Sequence, residues 1–351
     1  MKRFNVGAPR NTTGEDRMSA AQELVQRTLA QHGLAGPEHQ GLPMSASLDG
    51  MLSGLNFPLG GLSQPELHLP EGATFARDTY SCDAGSRAYR TYVPAAAQDG
   101  VTGVVVMLHG CTQTPEDFAA GTGMNALAEL HRFVVVYPAQ ARGDNAQSCW
   151  NWFSRGDQRR DAGEPAILSG ITRQVRDIYN IERDRTFVAG LSAGAAMAII
   201  LGETYSDVFT GVGAHSGLPF GAAKDVPSAF AAMSSGAQSL TPRNRQADPV
   251  RTIVFHGTSD STVHPSNGAS IVQQALDVGP SQTIEATQSG QMGGRGYTCR
   301  VSTGPSGRAE LEHWTIDGLG HAWSGGQPSG SYTDPKGPDA SAEMVRFFFS
   351  P

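Results

Sequence analysis

The chain has 351 residues, long enough for one large domain or two ordinary ones. Its 43 glycines and charged fraction of 17% suit a loop-rich enzyme with a sizeable apolar core better than a solvated helical bundle. A formal net charge of -7 argues against a nucleic-acid binder, which carries a basic footprint, and no apolar run approaches the ~20 residues of a membrane span.

Met1-Lys2-Arg3 resembles the start of a signal peptide, but residues 4–16 are polar and supply no apolar core, so Sec export is not expected. Ser19-Ala20-Ala21-Gln22 reads as a capping box. Ala21, Leu24, Val25, Thr28 and Leu29 follow with helical spacing, and Gly33 ends the run. The weak apolar face fits an arm packed on the main domain, or a helix lying on a lipid or polymer granule. From Leu34 to Gly72 the composition shifts to Gly, Pro, Leu, Met and Ser without a period, as in an extended linker. The expected division is therefore residues 1–72, an amphipathic helix plus linker, and residues 73–351, a catalytic domain.

In the main domain, Arg87 to Pro94 alternates and predicts an edge strand. Gly103 to Leu108 is a continuous apolar run, the mark of a strand buried on both faces, and Phe133 to Tyr137 is another. Asp117 to His131 predicts one helix between them. A long polar loop with Cys149-Trp150-Asn151-Trp152-Phe153 follows, then a helix over Pro165 to Tyr179. Further strands are predicted at Gly211–Ala214, Arg251–Phe255, Thr283–Thr287, Tyr297–Val301 and Ala309–Ile316. Helices are predicted over Asn267–Val278 and Ala340–Phe349. The stretch from Leu218 to Asp248 is a candidate lid. Strands alternating with helices predict an α/β fold with a mostly parallel sheet covered on both faces.

Thr186 to Met197 is the centre of this pattern. An apolar strand enters Gly190-Leu191-Ser192-Ala193-Gly194, which fits G-x-S-x-G, and a small-residue helix leaves it. In a nucleophile elbow the serine sits on a strained strand-to-helix turn, and the helix that follows aims its free N–H groups at negative charge forming there. Three other stretches supply what such a serine needs. His109-Gly110-Cys111 follows the first buried strand, so the backbone N–H groups of Cys111 and Ala193 are the expected oxyanion hole. Asp260 lies just beyond the strand ending at Phe255 and is the expected acid, with Asp207 and Asp317 as weaker rivals. His321, flanked by glycines, is the expected base. The order Ser192, Asp260, His321 is that of α/β-hydrolases. Trp150, Trp152 and Trp323 fall on loops at the same edge and are candidates to line a cleft for an apolar acyl or polymer chain. No histidine pair forms a metal pattern, and no cofactor is expected. Cys82, Cys111, Cys149 and Cys299 form no CxxC, so zinc is not expected. Four cysteines allow two disulfides, but without an export signal they are expected to stay mostly reduced.

Six motifs recur in this order in one family. They are His109-Gly110-Cys111-Thr112-Gln113, Cys149 to Phe153, Gly190 to Gly194, His215-Ser216-Gly217, Val254 to Gly257 with Asp260 and Val263-His264-Pro265, and Gly320 to Gly326. From about Ala73 onward the chain resembles the type 1 catalytic domain of short-chain-length polyhydroxyalkanoate depolymerases, in the esterase branch of the α/β-hydrolases. The resemblance implies hydrolysis of ester bonds in poly(3-hydroxybutyrate), with Ser192, Asp260 and His321 as the triad. Secreted members carry a signal peptide and a polymer-binding domain, and this sequence shows neither. It therefore looks like a cytoplasmic, granule-associated member acting on amorphous storage polymer, or an esterase for soluble oligomers. The elbow continues Gly194-Ala195-Ala196, where many relatives have a second glycine; a methyl there is tolerated if Ala195 is helical. The alternatives are a carboxylesterase of the feruloyl or acetylxylan type, or a non-catalytic granule-binding protein with a hydrolase shell.

Overall fold

The computed structural model describes residues 68–145, 147–237, 249–279 and 283–350. The N-terminal helix and linker expected over residues 1–72 lie almost wholly outside them.

The strands are β1 (Thr74–Cys82), β2 (Gly85–Val93), β3 (Val104–Leu108), β4 (Val134–Pro138), β5 (Thr186–Leu191), β6 (Gly211–His215), β7 (Arg251–Gly257), β8 (Ile284–Met292), β9 (Arg295–Thr303), β10 (Ala309–Ile316), β11 (Trp323–Ser324) and β12 (Thr333–Asp334). The helices are α1 (Pro115–Thr122), α2 (Met124–His131), α3 (Gly163–Tyr179), α4 (Ala193–Thr204), α5 (Val226–Ser235), α6 (Ser266–Val278) and α7 (Ala340–Phe349). Among the described residues, β1 to β10 form one ten-stranded sheet in the order β1-β2-β4-β3-β5-β6-β7-β10-β9-β8. The stretch from β4 to β10 is parallel, and antiparallel pairs extend it at both ends.

The apolar runs become the central strands because both of their faces are covered. Alternation within β3 separates the two cores. Val104, Val106 and Leu108 join α3 and α4 through Leu168, Ile171, Met197 and Leu201. Val105 and Met107 face the other way, onto Phe118, Met344, Phe347 and Phe348. Phe187 stacks on Phe348 with centroids 4.8 Å apart, which fastens the last helix against β5.

Two local expectations are corrected. Arg87 to Pro94 is not an edge strand, because β1 pairs along its outer side from Thr74↔Val93 to Cys82↔Gly85. The polar, mostly exposed β1 carries no apolar run to reveal it. The single helix over Asp117 to His131 is two helices, α1 and α2. Gly123, at φ 64°, caps α1 by donating to Ala119 O at 3.2 Å and turns the chain before α2 begins. Within the candidate lid, α5 is capped by a reciprocal Asp225–Ser228 box, and residues 238–248 lie outside the described residues.

The tightest point of the fold is where α4 leaves β5. A Cβ on Gly194 would stand 2.0 Å from Leu108 O and 2.6 Å from His109 O. One on Gly190 would stand 2.5 Å from the Gly194 carbonyl carbon and 2.7 Å from Leu108 O. These neighbours are backbone atoms of β3 and the elbow, so no side-chain rotation relieves the clash. Ala195 is helical and buried, and its methyl fits because Gly217 opposite has none; a Cβ there would come within 2.7 Å of it. Gly194→Ala is expected to destabilise the protein by about 3 kcal/mol, lowering Tm by about 6 °C or more in a thermal melt. Gly320→Ala is the control, because nothing lies within 4 Å of its added methyl, and it should leave Tm nearly unchanged.

Candidate active site

The parallel register brings the ends of four strands to one edge. Leu191 of β5 pairs with His215 of β6, His215 with Phe255 of β7, and Phe255 with Trp314 of β10. Residues just past these ends therefore meet at the carboxyl edge, where open α/β sheets place their ligands. Ser192 follows β5, Asp260 follows β7 and His321 follows β10.

Ser192 has φ 57° and ψ -119°, a conformation that non-glycine residues rarely hold. Its N–H donates to His215 O at 2.9 Å, and its own carbonyl starts α4 by accepting from Ala196 N at 3.0 Å. The first amides of α4, beginning at Ala193, have no carbonyl one turn earlier to bond and point toward the serine end of the helix.

Asp260 and His321 are joined directly, with Asp260 Oδ2 and His321 Nδ1 2.8 Å apart. The other carboxylate oxygen accepts from Thr262 N at 3.0 Å and Val263 N at 2.9 Å, which fixes the plane of the group. Burial alone would raise the Asp260 carboxyl. The hydrogen bonds from His256 and His321 and the Val263 N–H outweigh it and hold the group well below the usual carboxylate range. The acid and base loops also touch through backbone. Ser259 N donates to Leu319 O at 3.0 Å, and a Cβ on Gly257 would stand 2.1 Å from that oxygen. His256 serves the acid loop, with Nε2 2.9 Å from Val263 O and 3.5 Å from Asp260 Oδ2. Of the rival acids, Asp207 pairs with Arg160 and Arg173 on an exposed face beyond α4, away from this edge.

The loop after β3 is fastened at nearly every residue. His109 Nε2 accepts from Gln140 N at 3.1 Å, so its proton lies on Nδ1, which donates to Gly110 O at 2.7 Å. Gln113 has its Oε1 on Gly110 N at 2.9 Å, and its Nε2 donates to Asp117 Oδ2 at 2.9 Å and Ser331 O at 3.1 Å. Thr112 N donates to Gln147 O at 2.8 Å. Among the described residues, the Cys111 N–H in the middle of this loop has no acceptor. Sequence reasoning gave Gln113 no role. A glutamine that is 3% exposed on a loop must satisfy both ends of its amide, but only the fold shows that its partners are Gly110, Asp117 and Ser331.

Two expectations fail here. Cys111 and Cys149 are joined by a disulfide, so these two cysteines are not reduced thiols; Cys82 and Cys299 are free. The fold sets the loop after β3 against the 149–153 loop, a proximity that a sequence separation of 38 conceals. Trp150, Trp152 and Trp323 do not form an open aromatic lining. They are 0%, 5% and 1% exposed. Trp150 Nε1 donates to His109 O at 3.0 Å, and Trp323 Nε1 to Ser341 Oγ at 3.0 Å. Trp152 sits edge-on to Phe153. Their loop positions suggested exposure, but all three indoles are buried, and those of Trp150 and Trp323 have their N–H groups paired. A feature with no sequence signal is the pairing of Thr112 Oγ1 with Tyr332 OH at 3.1 Å, beside the Cys111 amide. Both residues have positive φ, 66° and 52°.

A mainly parallel sheet covered by helices, with an elbow serine at its carboxyl edge and a joined Asp–His pair on later loops, defines an α/β-hydrolase. The Esterase PHB depolymerase family matches residues 87–296, and the chain belongs to it. Poly(3-hydroxyalkanoate) depolymerase C of Paucimonas lemoignei is 35% identical over 230 residues, covering 62% of this chain and 54% of that one. Poly(3-hydroxybutyrate) depolymerase of Ralstonia pickettii is 27% identical over 279 residues, covering 73% and 56%. The chain thus spans about half the length of these two relatives. A probable acetylxylan esterase A of Aspergillus flavus is 28% identical over 193 residues, covering 50% and 61%. Among solved structures, acetyl xylan esterase from Aspergillus awamori superposes with a TM-score of 0.55 at 20% identity, covering 71% of this chain and 94% of that one, and supports the fold.

Two measurements follow from this geometry. The disulfide closes a loop of 38 residues and constrains the unfolded chain by on the order of 4 kcal/mol in the chain-entropy account. Cys149→Ser, or a reductant, should therefore lower Tm and reduce esterase kcat by loosening the Cys111 loop; unchanged values of both would show that the disulfide holds neither. The buried histidines set a pH limit. Burial pushes His109 down to about 4 and His215 to about 3, the latter helped by His256 and His321. Both are neutral when folded and free to protonate below the usual 6.5 when unfolded. Their stabilisation is complete above that value and is lost as pH falls through it, by about 2 kcal/mol each at pH 5. Tm should drop clearly between pH 7.5 and pH 5; a flat profile is the contrary result.

Proposed function

We propose that the chain is a serine esterase that hydrolyses ester bonds of poly(3-hydroxybutyrate) or its oligomers through an acyl-enzyme on Ser192. The observation that carries the reading is the Asp260–His321 bond at 2.8 Å, formed between two loops at the edge where the Ser192 elbow lies. Asp260 fixes the proton of the neutral imidazole on Nδ1, so Nε2 is the basic nitrogen. As Ser192 Oγ attacks the ester carbonyl, Nε2 takes the hydroxyl proton, and Asp260 stabilises the imidazolium. The carbonyl oxygen becomes negative and is met by the N–H groups of Cys111 and Ala193. Collapse breaks the ester C–O bond, and His321 returns the proton to the leaving alkoxide, releasing a hydroxyl-terminated fragment. Water then gives its proton to His321 and attacks the acyl-enzyme, which frees the acid and restores Ser192. Each step uses groups of the chain itself.

The depolymerase names of the two relatives support the polyester substrate, and a polyhydroxyalkanoate granule is the surface on which it would be met. A second reading, a carboxylesterase of the acetylxylan type, is favoured by the relatives and structural neighbour of that name. The non-catalytic reading is disfavoured because a binder has no use for a paired Asp260 and His321 beside an elbow serine. The disulfide favours an oxidising compartment over the cytoplasm. No helix among the described residues is long and apolar enough to cross a membrane.

The deciding experiment compares amorphous poly(3-hydroxybutyrate) granules, 3-hydroxybutyrate oligomers, acetylated xylan and p-nitrophenyl butyrate, with Ser192→Ala as the blank. Serine-dependent release of 3-hydroxybutyrate from granules, lost at least ~10³-fold in Ser192→Ala, is expected. Release of acetate from xylan with no attack on the polyester would transfer the substrate to the second reading. Near-normal hydrolysis by Ser192→Ala would remove the mechanism.

A further inference from the structure

His215 ends β6, beside the nucleophile strand, and takes no chemical part in the mechanism above. Its surroundings are unusual for a core residue. The side chain is wholly buried. The ring lies between Trp323, 5.2 Å away by centroid, and Phe255, 5.8 Å away, nearly parallel to both. Its Nε2 accepts a hydrogen bond from Ser324 N at 3.1 Å, so the proton of the neutral ring is on Nδ1, which faces Ser216 Oγ at 3.2 Å. Its backbone carbonyl accepts the N–H of Ser192 at 2.9 Å.

One residue thus bonds the nucleophile through its main chain and the loop of the base through its side chain. Ser324 is three positions beyond His321. On the other flank, two positions before His321, Leu319 O accepts Ser259 N from the acid loop. The base is therefore suspended between two ties, one to the loop of Asp260 and one to His215. At and just before the second tie the chain has further anchors. Trp323 N donates to Tyr332 O at 2.7 Å, Trp323 Nε1 to Ser341 Oγ at 3.0 Å, and Ser324 Oγ to Pro338 O at 2.7 Å. Loss of the imidazole acceptor would leave these anchors in place. It would remove a hydrogen bond between the His321 loop and β6.

We propose that His215 is a positioning residue, whose imidazole Nε2 holds the Ser324 amide and so sets His321 in register with Ser192. The inference rests on the serine-esterase reading. A phenyl ring at position 215 keeps the stacking between Trp323 and Phe255 and removes the acceptor. A glutamine places an amide oxygen close to the former Nε2 and restores it. Small displacements of a reacting group cost large factors in rate while substrate contacts elsewhere are unaffected.

The test uses the full-length protein with p-nitrophenyl butyrate, and follows kcat, KM, Tm and the rate of Ser192 labelling by a fluorophosphonate. His215→Phe is expected to lower kcat and the labelling rate by about 10- to 100-fold with KM within about twofold. His215→Gln is expected to recover most of both. If His215→Phe does not fold, His215→Asn replaces it, because its shorter amide stops near the Nδ1 position and leaves Ser324 N–H unmatched. Equal kcat in the wild type and the acceptor-free variant would overturn the proposal. So would equal losses in the Gln and acceptor-free variants, which would mark His215 as packing alone. Ser192→Ala separates the two failures: if it keeps activity, the esterase reading falls. If Ser192 is essential and the acceptor at position 215 is dispensable, only the positioning role falls.

Discussion

The close approach of three backbone segments at the end of β5 constrains everything around it. Gly190 and Gly194 let the elbow come against Leu108 O and His109 O, and the turn between them forces Ser192 into φ 57°, ψ -119°. The strain is borne by the sheet, because the same turn is bonded to β6 through Ser192 N and continues into a helix buried along most of its length. A serine held this way does not settle back into the strand, so its hydroxyl stays clear of the backbone. The same crowding puts the loop after β3 beside the start of α4. Among the described residues the amides of Cys111 and Ala193 have no acceptor, which is why the proposed mechanism assigns them the carbonyl oxygen.

Around this point the protein uses polar groups whose charge state is fixed by their surroundings. Asp260 is buried but remains anionic because two histidines and two backbone amides face it. His109 and His215 are buried without a carboxylate on the ring, and stay neutral. Each can therefore offer one lone pair to a backbone amide, His109 to Gln140 and His215 to Ser324. Neutral imidazoles used as acceptors give directional ties inside a core where an ion would be costly. The Cys111–Cys149 disulfide adds a covalent tie from the loop after β3 to the segment that carries Trp150 and Trp152.

Much of the fold was legible in the residues. Apolar runs such as Val104 to Leu108 and Val134 to Tyr137 announce strands buried on both faces, because no exposed strand could carry them. The late strand Ala309–Ile316 and the last helix Ala340–Phe349 match the expected bounds. The turns that carry Ser192, Asp260 and His321 were also readable, since each follows an apolar strand and holds a glycine within three positions of the polar residue. The exposed strand β1 was not readable, because a polar edge strand has no run to show. The break at Gly123 was not readable either: a glycine in a helical pattern can be tolerated or can turn the chain, and its φ decides.

By itself the sequence determined the strand-and-helix alternation, the order Ser192, Asp260, His321, and the family, because these depend on local composition and spacing. Tertiary structure alone decided which distant groups meet. The Asp260–His321 bond is a joining of two loops across 61 residues, and its length has no expression in either segment. The disulfide partner of Cys111, the burial of Trp150, Trp152 and Trp323, and the two attachments of His215 depend on the register of neighbouring strands. Register is a property of the assembled sheet, in which every strand end is placed by the packing of all the others.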